Sequence, residues 1–469
     1  PPGGVTTRAE VTAFVAALRH ERRTSPEMGD LLGRLQEDGS DAARDTNIRE
    51  ARRSHARAVK VPGELVEDIA RTSSLAKEAW AAARRTNDYA AFVPLLSKLI
   101  DLKRRQADAI GYDDHPYDAL MDEYEPGAST RTVTRIFDDL RQRLVPFVKE
   151  LGSAPRQPDF SLLQRHCPQA RQEKLCRRMA EEIGFDFSAG RMDVSVHPFC
   201  TSIGSGQDVR ITTRYDEHYF PAAVFGVMHE VGHGLYEQGL DPAHMFTPMG
   251  AFCSLGIHES QSRLWENLVG RSRAFWTTRY GLLQEMLGST LAGVSLDAFY
   301  GAINTVAPSL IRVEADEVTY NLHIIVRFEL ERDIIAGKLA VERIPEVWNA
   351  KMQELVGVTP SNDAEGCLQD IHWSMGAFGY FPTYALGNLY AAQFFAAARR
   401  DLARHGADLD AQMTAADVRN LLEWMRTNVH RHGMRYDAGG LCRKATGADL
   451  SVEPFLDYVT AKYRPIYGL

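Results

Sequence analysis

Along most of the chain apolar residues return every three or four positions, the interval that gathers them on one face of an α-helix, and alternating runs are few. From Pro94 to Gly111 this pattern predicts a helix. Proline suits its first turn, Leu95, Leu96, Leu99 and Leu102 share a face, and Gly111 can take the left-handed stop. Val133 to Gly152 repeats the logic through Val133, Ile136, Phe137, Leu140, Leu144 and Leu151, with Pro146 as a kink. The first 90 residues, rich in Arg and Ala, read as further helices forming an arm or lid, followed by a core over roughly 91–469. No internal repeat is present. Two stretches break the helical period: MDVSVHPF from Met192 and DVRITTRY from Asp208 alternate with period two around the Gly-containing SIGSGQ. They predict a β-hairpin, either a core element or an exposed edge able to pair with an extended peptide.

Composition narrows the class. Of 469 residues 44% are hydrophobic and 25% charged, which describes an ordinary globular protein able to bury a large core. Together with the helical pattern this predicts a mostly α fold built as one domain, residues 1–469, with two lobes. A net charge of −8 repels a phosphate backbone, so nucleic acid is not an expected partner. Cys167, Cys176, Cys200, Cys253, Cys367 and Cys442 form no C-x-x-C pair and read as free thiols, neither a disulfide framework nor a thiolate metal cluster. No signal-peptide pattern opens the sequence and no apolar run reaches the roughly 18 residues of a membrane span, so a cytoplasmic location away from membranes is expected.

One motif carries chemistry. His229-Glu230-Val231-Gly232-His233 is an H-E-x-x-H inside PAAVFGVMHEVGHGLYEQG, where Pro221 suits a helix start and Gly239 a stop. Spaced by four on a helix, two imidazoles project from one face and can meet a single cation. Glu230, about 100° around the helix, reaches a water on that cation but not the cation itself. Two satisfied core histidines are the bland alternative, and burying them with a carboxylate and no ligand is expensive.

A third ligand must come from elsewhere. The extension H-E-x-x-H-x-x-G-x-x-H is not present, because Tyr236 and Gly239 stand where Gly and His are needed. GIHESQSRLWENLVG forms a second helical run and places Glu259 26 residues past His233. Glutamate there completes a His, His, Glu set with a fourth position for water. His258, His244 and Glu266 compete for the role, and spacing favours Glu259 without excluding them.

Several further motifs occur in order: Asp208-Val209-Arg210-Ile211-Thr212, HESQSR from His258, IRVEAD from Ile311 and GCLQDIHW from Gly366. With H-E-x-x-H they resemble the carboxypeptidase Taq family of metallocarboxypeptidases, over nearly the whole chain and with no departure at a motif position. The resemblance implies a helical peptidase with a deep groove between lobes, similar in outline to neurolysin and angiotensin-converting enzyme, and a homodimer. It implies His229, His233 and Glu259 as metal ligands and Glu230 as general base, with Zn2+ the default ion and Co2+ able to serve. In GAFGYFPTYALGN, whose glycines and aromatics look too irregular to start a helix, Tyr384 looks like the phenol donating to a developing oxyanion, and His372 is a second candidate.

An enzyme that trims peptides from the C-terminus needs an anchor for the terminal carboxylate, and arginine supplies two parallel hydrogen bonds. Arg210, Arg312 and Arg327 are the candidates, Arg312 being favoured by IRVEADE, which reads as helical; Asp316, Glu314 and Glu329 are possible structural partners. The expected activity is release of C-terminal amino acids from peptides by metal-activated water. An endo-acting oligopeptidase on the same scaffold would share the metal residues and lack the anchor. A catalytically dead peptide-binding protein is disfavoured by the retention of Glu230 beside both histidines.

Overall fold

The predicted helices form, and a computed structural model describes them over residues 2–469. The Arg- and Ala-rich start folds as α1 (Val5–Thr24), α2 (Pro26–Arg34), α3 (Ala42–Val59) and α4 (Gly63–Thr86). Next come α5 (Tyr89–Ile110), α6 (Pro116–Met121), α7 (Thr130–Gly152) and α8 (Gln169–Glu182). A small sheet of β1 (Gly190–Val194), β2 (Cys200–Ser202) and β3 (Val209–Thr213) precedes α9 (Pro221–Gly239) and α10 (Leu255–Arg263). Beyond these lie α11 (Arg273–Leu287), α12 (Leu296–Ala302), α13 (Tyr320–Ile335), α14 (Ile344–Leu355) and α15 (Pro382–Arg404). The chain ends in α16 (Leu409–Thr414), α17 (Arg419–Asn428), α18 (Ala438–Thr446) and α19 (Glu453–Tyr467).

The chain divides into two compact units. The first comprises Pro1–Val145, Pro308–Ala315 and Thr319–Pro382. Its core uses the apolar faces read from the sequence: Leu96, Leu99 and Leu102 of α5, and Val133, Phe137, Leu140 and Leu144 of α7, are all buried. Asp88 caps α5 by accepting from Ala91 N, so the helix starts one turn earlier than Pro94 suggests, and Gly111 ends it at φ +86°. Phe328 of α13 meets Tyr117 and Phe137 edge-on, with ring centroids 5.8 and 5.1 Å apart.

The second unit comprises Pro146–Ala307, Asp316–Val318 and Thr383–Leu469. Here the expected hairpin is rearranged. β3 is the central strand, β2 pairs with it antiparallel (Cys200 opposite Ile211, Ser202 opposite Val209), and β1 pairs with it parallel on the other side (Met192 opposite Ile211). The hairpin is therefore β2 with β3, closed by Ile203 N donating to Asp208 O at 2.8 Å. Alternation reports that a strand has two faces, not which neighbour it pairs with, and Pro198 ends the first run before the chain turns back.

Two other expectations change. IRVEADE is not helical beyond a single 3-10 turn, Arg312–Glu314, because the Asp316 carboxylate takes hydrogen bonds from Val318 N and Ala307 N and offers the backbone a turn instead. GAFGYFPTYALGN does contain a helix start: Pro382 opens α15 and places Tyr384 in its first turn. Among the described residues no helix is long and apolar enough to cross a membrane.

Candidate active site

α9 carries H-E-x-x-H as the sequence requires, with Pro221 in its first turn. Two glycines let other helices reach the motif. A Cβ at Gly232 would stand 2.6 Å from Gln261 O and from Ser262 Cα, so glycine is what lets α10 lie directly on α9. A Cβ at Gly387 would stand 2.6 Å from Glu259 Cγ, so α15 lies against that glutamate one turn after Tyr384. Gly239, read as a stop, is the last residue of α9, and a Cβ there would stand 2.2 Å from His430 Nδ1.

The outcome is a converging donor set. His229, His233 and Glu259 each offer one ligand atom, all within 4.8 Å of one another, and among the described residues no other group of this kind occurs. Glu259 Oε2 lies 3.7 Å from His229 Nε2 and 3.4 Å from His233 Nε2. The competitors take different places. His229 Nδ1 pairs with Glu266 Oε2 at 3.0 Å, and His233 Nδ1 with His258 Nδ1 at 2.6 Å, so Glu266 and His258 stand behind the histidines. His244 lies in a 3-10 turn, Pro242–His244, and is not a member of the set. Glu266 lies in a π-helical turn, Leu264–Val269, that continues α10.

Arg263 donates from Nε to Glu259 Oε1 at 2.6 Å and from NH1 to Glu266 Oε2 at 3.3 Å, and Arg271 NH2 reaches Glu266 Oε1 at 3.3 Å. Burial alone would raise both carboxyls. These guanidiniums and the histidines outweigh it, holding Glu259 far below the usual carboxylate range and Glu266 at about 2. His233 is pushed down to about 4 by burial, which favours the neutral, ligating imidazole. For His229 burial acts in the same direction, but Glu259 and Glu266 prevail and raise it above its ordinary value. Glu230 is 7% exposed and is pushed up to about 7, by burial first and then by Glu259 and Glu266 against the pull of His229.

The three arginines differ sharply. Arg210, on β3, is exposed and forked onto Asp208 with Nε and NH2 at 3.0 and 2.9 Å. Arg312 and Arg327 both reach Asp370, a partner the spacing did not show: Arg312 Nε and NH2 bind Oδ1 at 3.0 and 2.8 Å, and Arg327 Nε binds Oδ2 at 2.6 Å. Arg327 is fully buried and also donates to His323 O and Gln369 Oε1, whereas Arg312 is 6% exposed and donates to the Tyr320 hydroxyl at 2.8 Å. His372 lies in the same unit, its ring 4.4 Å from Phe381, and burial lowers it to about 3, so the imidazole is neutral. Sequence reasoning missed Asp370 and Gln369 as functional neighbours although both sit in GCLQDIHW.

Comparison with known proteins agrees with this chemistry. The family model described as carboxypeptidase Taq (M32) metallopeptidase matches residues 1–463. Thermostable carboxypeptidase 1 of Thermus thermophilus is 42% identical over 483 aligned positions, covering 100% of this chain and 93% of that protein. Carboxypeptidase 1 of Bacillus subtilis is 40% identical, with 100% and 93% covered. The crystal structure of the M32 carboxypeptidase from Deinococcus radiodurans superposes with a TM-score of 0.94 at 40% identity, covering 100% of this chain and 94% of that one. A whole-chain match of this kind, on a helical scaffold that gathers His229, His233 and Glu259, means that the chain belongs to the carboxypeptidase Taq (M32) family of metallopeptidases.

Proposed function

We propose that this protein is a zinc-dependent carboxypeptidase that removes amino acids from the C-terminus of peptides. The observation carrying this is the three-donor set on α9 and α10, with both Nε2 atoms turned to one carboxylate oxygen and both Nδ1 atoms engaged behind. Two imidazoles and one carboxylate are the donors of a catalytic zinc site, which keeps a fourth position for water; cobalt accepts the same donors. A divalent ion held there supplies a Lewis acid for the scissile carbonyl and makes water acidic enough to attack near neutral pH.

The chain's residues do the rest. Glu230 accepts the proton of the attacking water and delivers it to the leaving amine nitrogen. Tyr384, half-buried in the first turn of α15, donates to the carbonyl oxygen as it gains charge; the neutral His372 is the second candidate donor. Arg312 is the proposed anchor of the terminal carboxylate: it is bonded to Asp370 and Tyr320 but keeps 6% of its surface exposed, whereas Arg327 is fully buried and Arg210 is forked onto Asp208 in solvent. A decapeptide should shorten one residue at a time from its C-terminus, and amidation of that end should nearly abolish cleavage. Internal fragments appearing first in mass spectra, with the amidated peptide cut equally well, would establish an endopeptidase instead.

A homodimer is supported by an apolar stripe: Val11, Phe14, Val15 and Leu18 of α1 and Leu31 of α2 are all exposed, although α1 buries Ala9 and Ala13 on its other side. Sedimentation of the native protein and of a Phe14→Glu variant checks this, a monomer in both cases rejecting it. Six free thiols favour a reducing compartment such as the cytoplasm, which fractionation of cells tests.

A further inference from the structure

Behind His233 stands a chain of three polar groups that the proposed reaction does not use. His233 Nδ1 lies 2.6 Å from His258 Nδ1, and His258 Nε2 lies 2.9 Å from Glu237 Oε1. Glu237 is on α9, one turn past His233. The hairpin loop seats tightly there: a Cβ at Gly206 would stand 2.2 Å from Glu237 O. The His258 ring is fixed by Phe252, edge-on with centroids 4.7 Å apart, and by Tyr236 at 5.3 Å. His229 has no such intermediary, since Glu266 takes its Nδ1 directly.

We infer that His258 and Glu237 are positioning residues that fix the tautomer and orientation of His233 for metal binding, through a relay running from Glu237 to His258 to His233. The inference rests on His233 being a metal ligand. A neutral imidazole carries one N–H, so a His233 whose Nε2 lone pair faces the metal must hold its proton on Nδ1 and donate it. His258 can accept it only on a bare Nδ1. Its own proton is then on Nε2 and is donated to Glu237, whose carboxylate is an acceptor only. Each contact has one donor and one acceptor in a single arrangement, and the hairpin loop at Gly206 packs on the Glu237 backbone. The carboxylate behind His229 does the same task in one step, whereas the carboxylate behind His233 acts through His258.

The test is the Zn2+ dissociation constant of the metal-loaded protein in competition with a chelator at one pH. His258→Phe keeps a ring between Phe252 and Tyr236 but cannot accept a hydrogen bond, and should weaken zinc binding by about 10- to 100-fold. His258→Asn places an oxygen where Nδ1 stands and should recover most of that loss. Glu237→Ala should weaken zinc in the wild type and add little in the His258→Phe background, because it acts through His258. Wild-type zinc affinity in His258→Phe, or a Glu237→Ala loss that adds in full, would overturn the relay. Should His258→Phe fail to fold, unchanged zinc affinity in Glu237→Ala would overturn it equally. His233→Ala separates the two levels. If it retains zinc, the ligand assignment is wrong; if it loses zinc while His258→Phe does not, only the relay falls.

Discussion

Glu230 carries two tasks that its surroundings make measurable. Buried beside Glu259 and Glu266, its carboxyl sits at about 7 without metal, so near neutral pH it is partly protonated. A divalent cation next to it favours the charged form and lowers that value, so zinc uptake at pH 7 should release the part of a proton that Glu230 still holds. Titration calorimetry in buffers of different ionisation enthalpy should therefore find fewer protons released by Glu230→Gln than by the wild type. The same variant should keep the metal and lose about 10²- to 10⁴-fold in kcat, as removal of a general base does; near-normal turnover would dismiss Glu230 as the base. The arginines separate by burial in the same way. Arg312→Ala should lower kcat/KM by roughly 30-fold to several-thousand-fold, from a loss of about 2–5 kcal/mol, and the defect should shrink on an amidated peptide that has no carboxylate to lose. Arg327→Ala removes a wholly buried cation and leaves Asp370 and Gln369 short of a donor, so it should depress the melting temperature.

At the level of the helix, α9 offers a control within itself. A Cβ at Gly226 meets nothing within 4 Å, whereas one at Gly232 collides with the α10 backbone. Gly226→Ala should be neutral or stabilise by up to about 1 kcal/mol through helix propensity. Gly232→Ala should destabilise by about 1–3 kcal/mol and weaken the metal, because the helix bearing Glu259 must move away. Chemical denaturation and metal analysis of the pair test this; equal effects would mean that the close approach does not matter. The contrast also shows what a sequence discloses. His229 and His233 were legible because the four-residue spacing of one helix suffices to bring them together. Glu259 needed a contact between two helices, and the glycine permitting it is, by its letter alone, like the idle Gly226. The strand pairing was illegible for the same reason: Met192 opposite Ile211 is a parallel, non-local choice that alternation within each run cannot express. Asp370, shared by two arginines far from it in the chain, left no periodic trace at all.

For the molecule as a whole, the question is whether the two units answer to one event. One helix belongs to both units: α7 passes from the first to the second between Val145 and Pro146. Melting one unit alone would fray α7 at that point, losing hydrogen bonds that the other unit's turns rely on, so the units should unfold as one domain. Metal removal tests this, because the donor set belongs entirely to the second unit. A ligand that binds only the folded state at 1,000 times its dissociation constant stabilises by about 4 kcal/mol. With an unfolding entropy of about 2.1 cal/mol/K per residue, a chain of this length changes by roughly 1 kcal/mol for each degree, so stripping zinc should lower the melting temperature by about 4 °C. If the units are coupled, differential scanning calorimetry should show one transition that moves as a whole on adding a chelator. If they are not, the trace should split, with only the part reported by the second unit moving and the part reported by α1–α6 staying where it was.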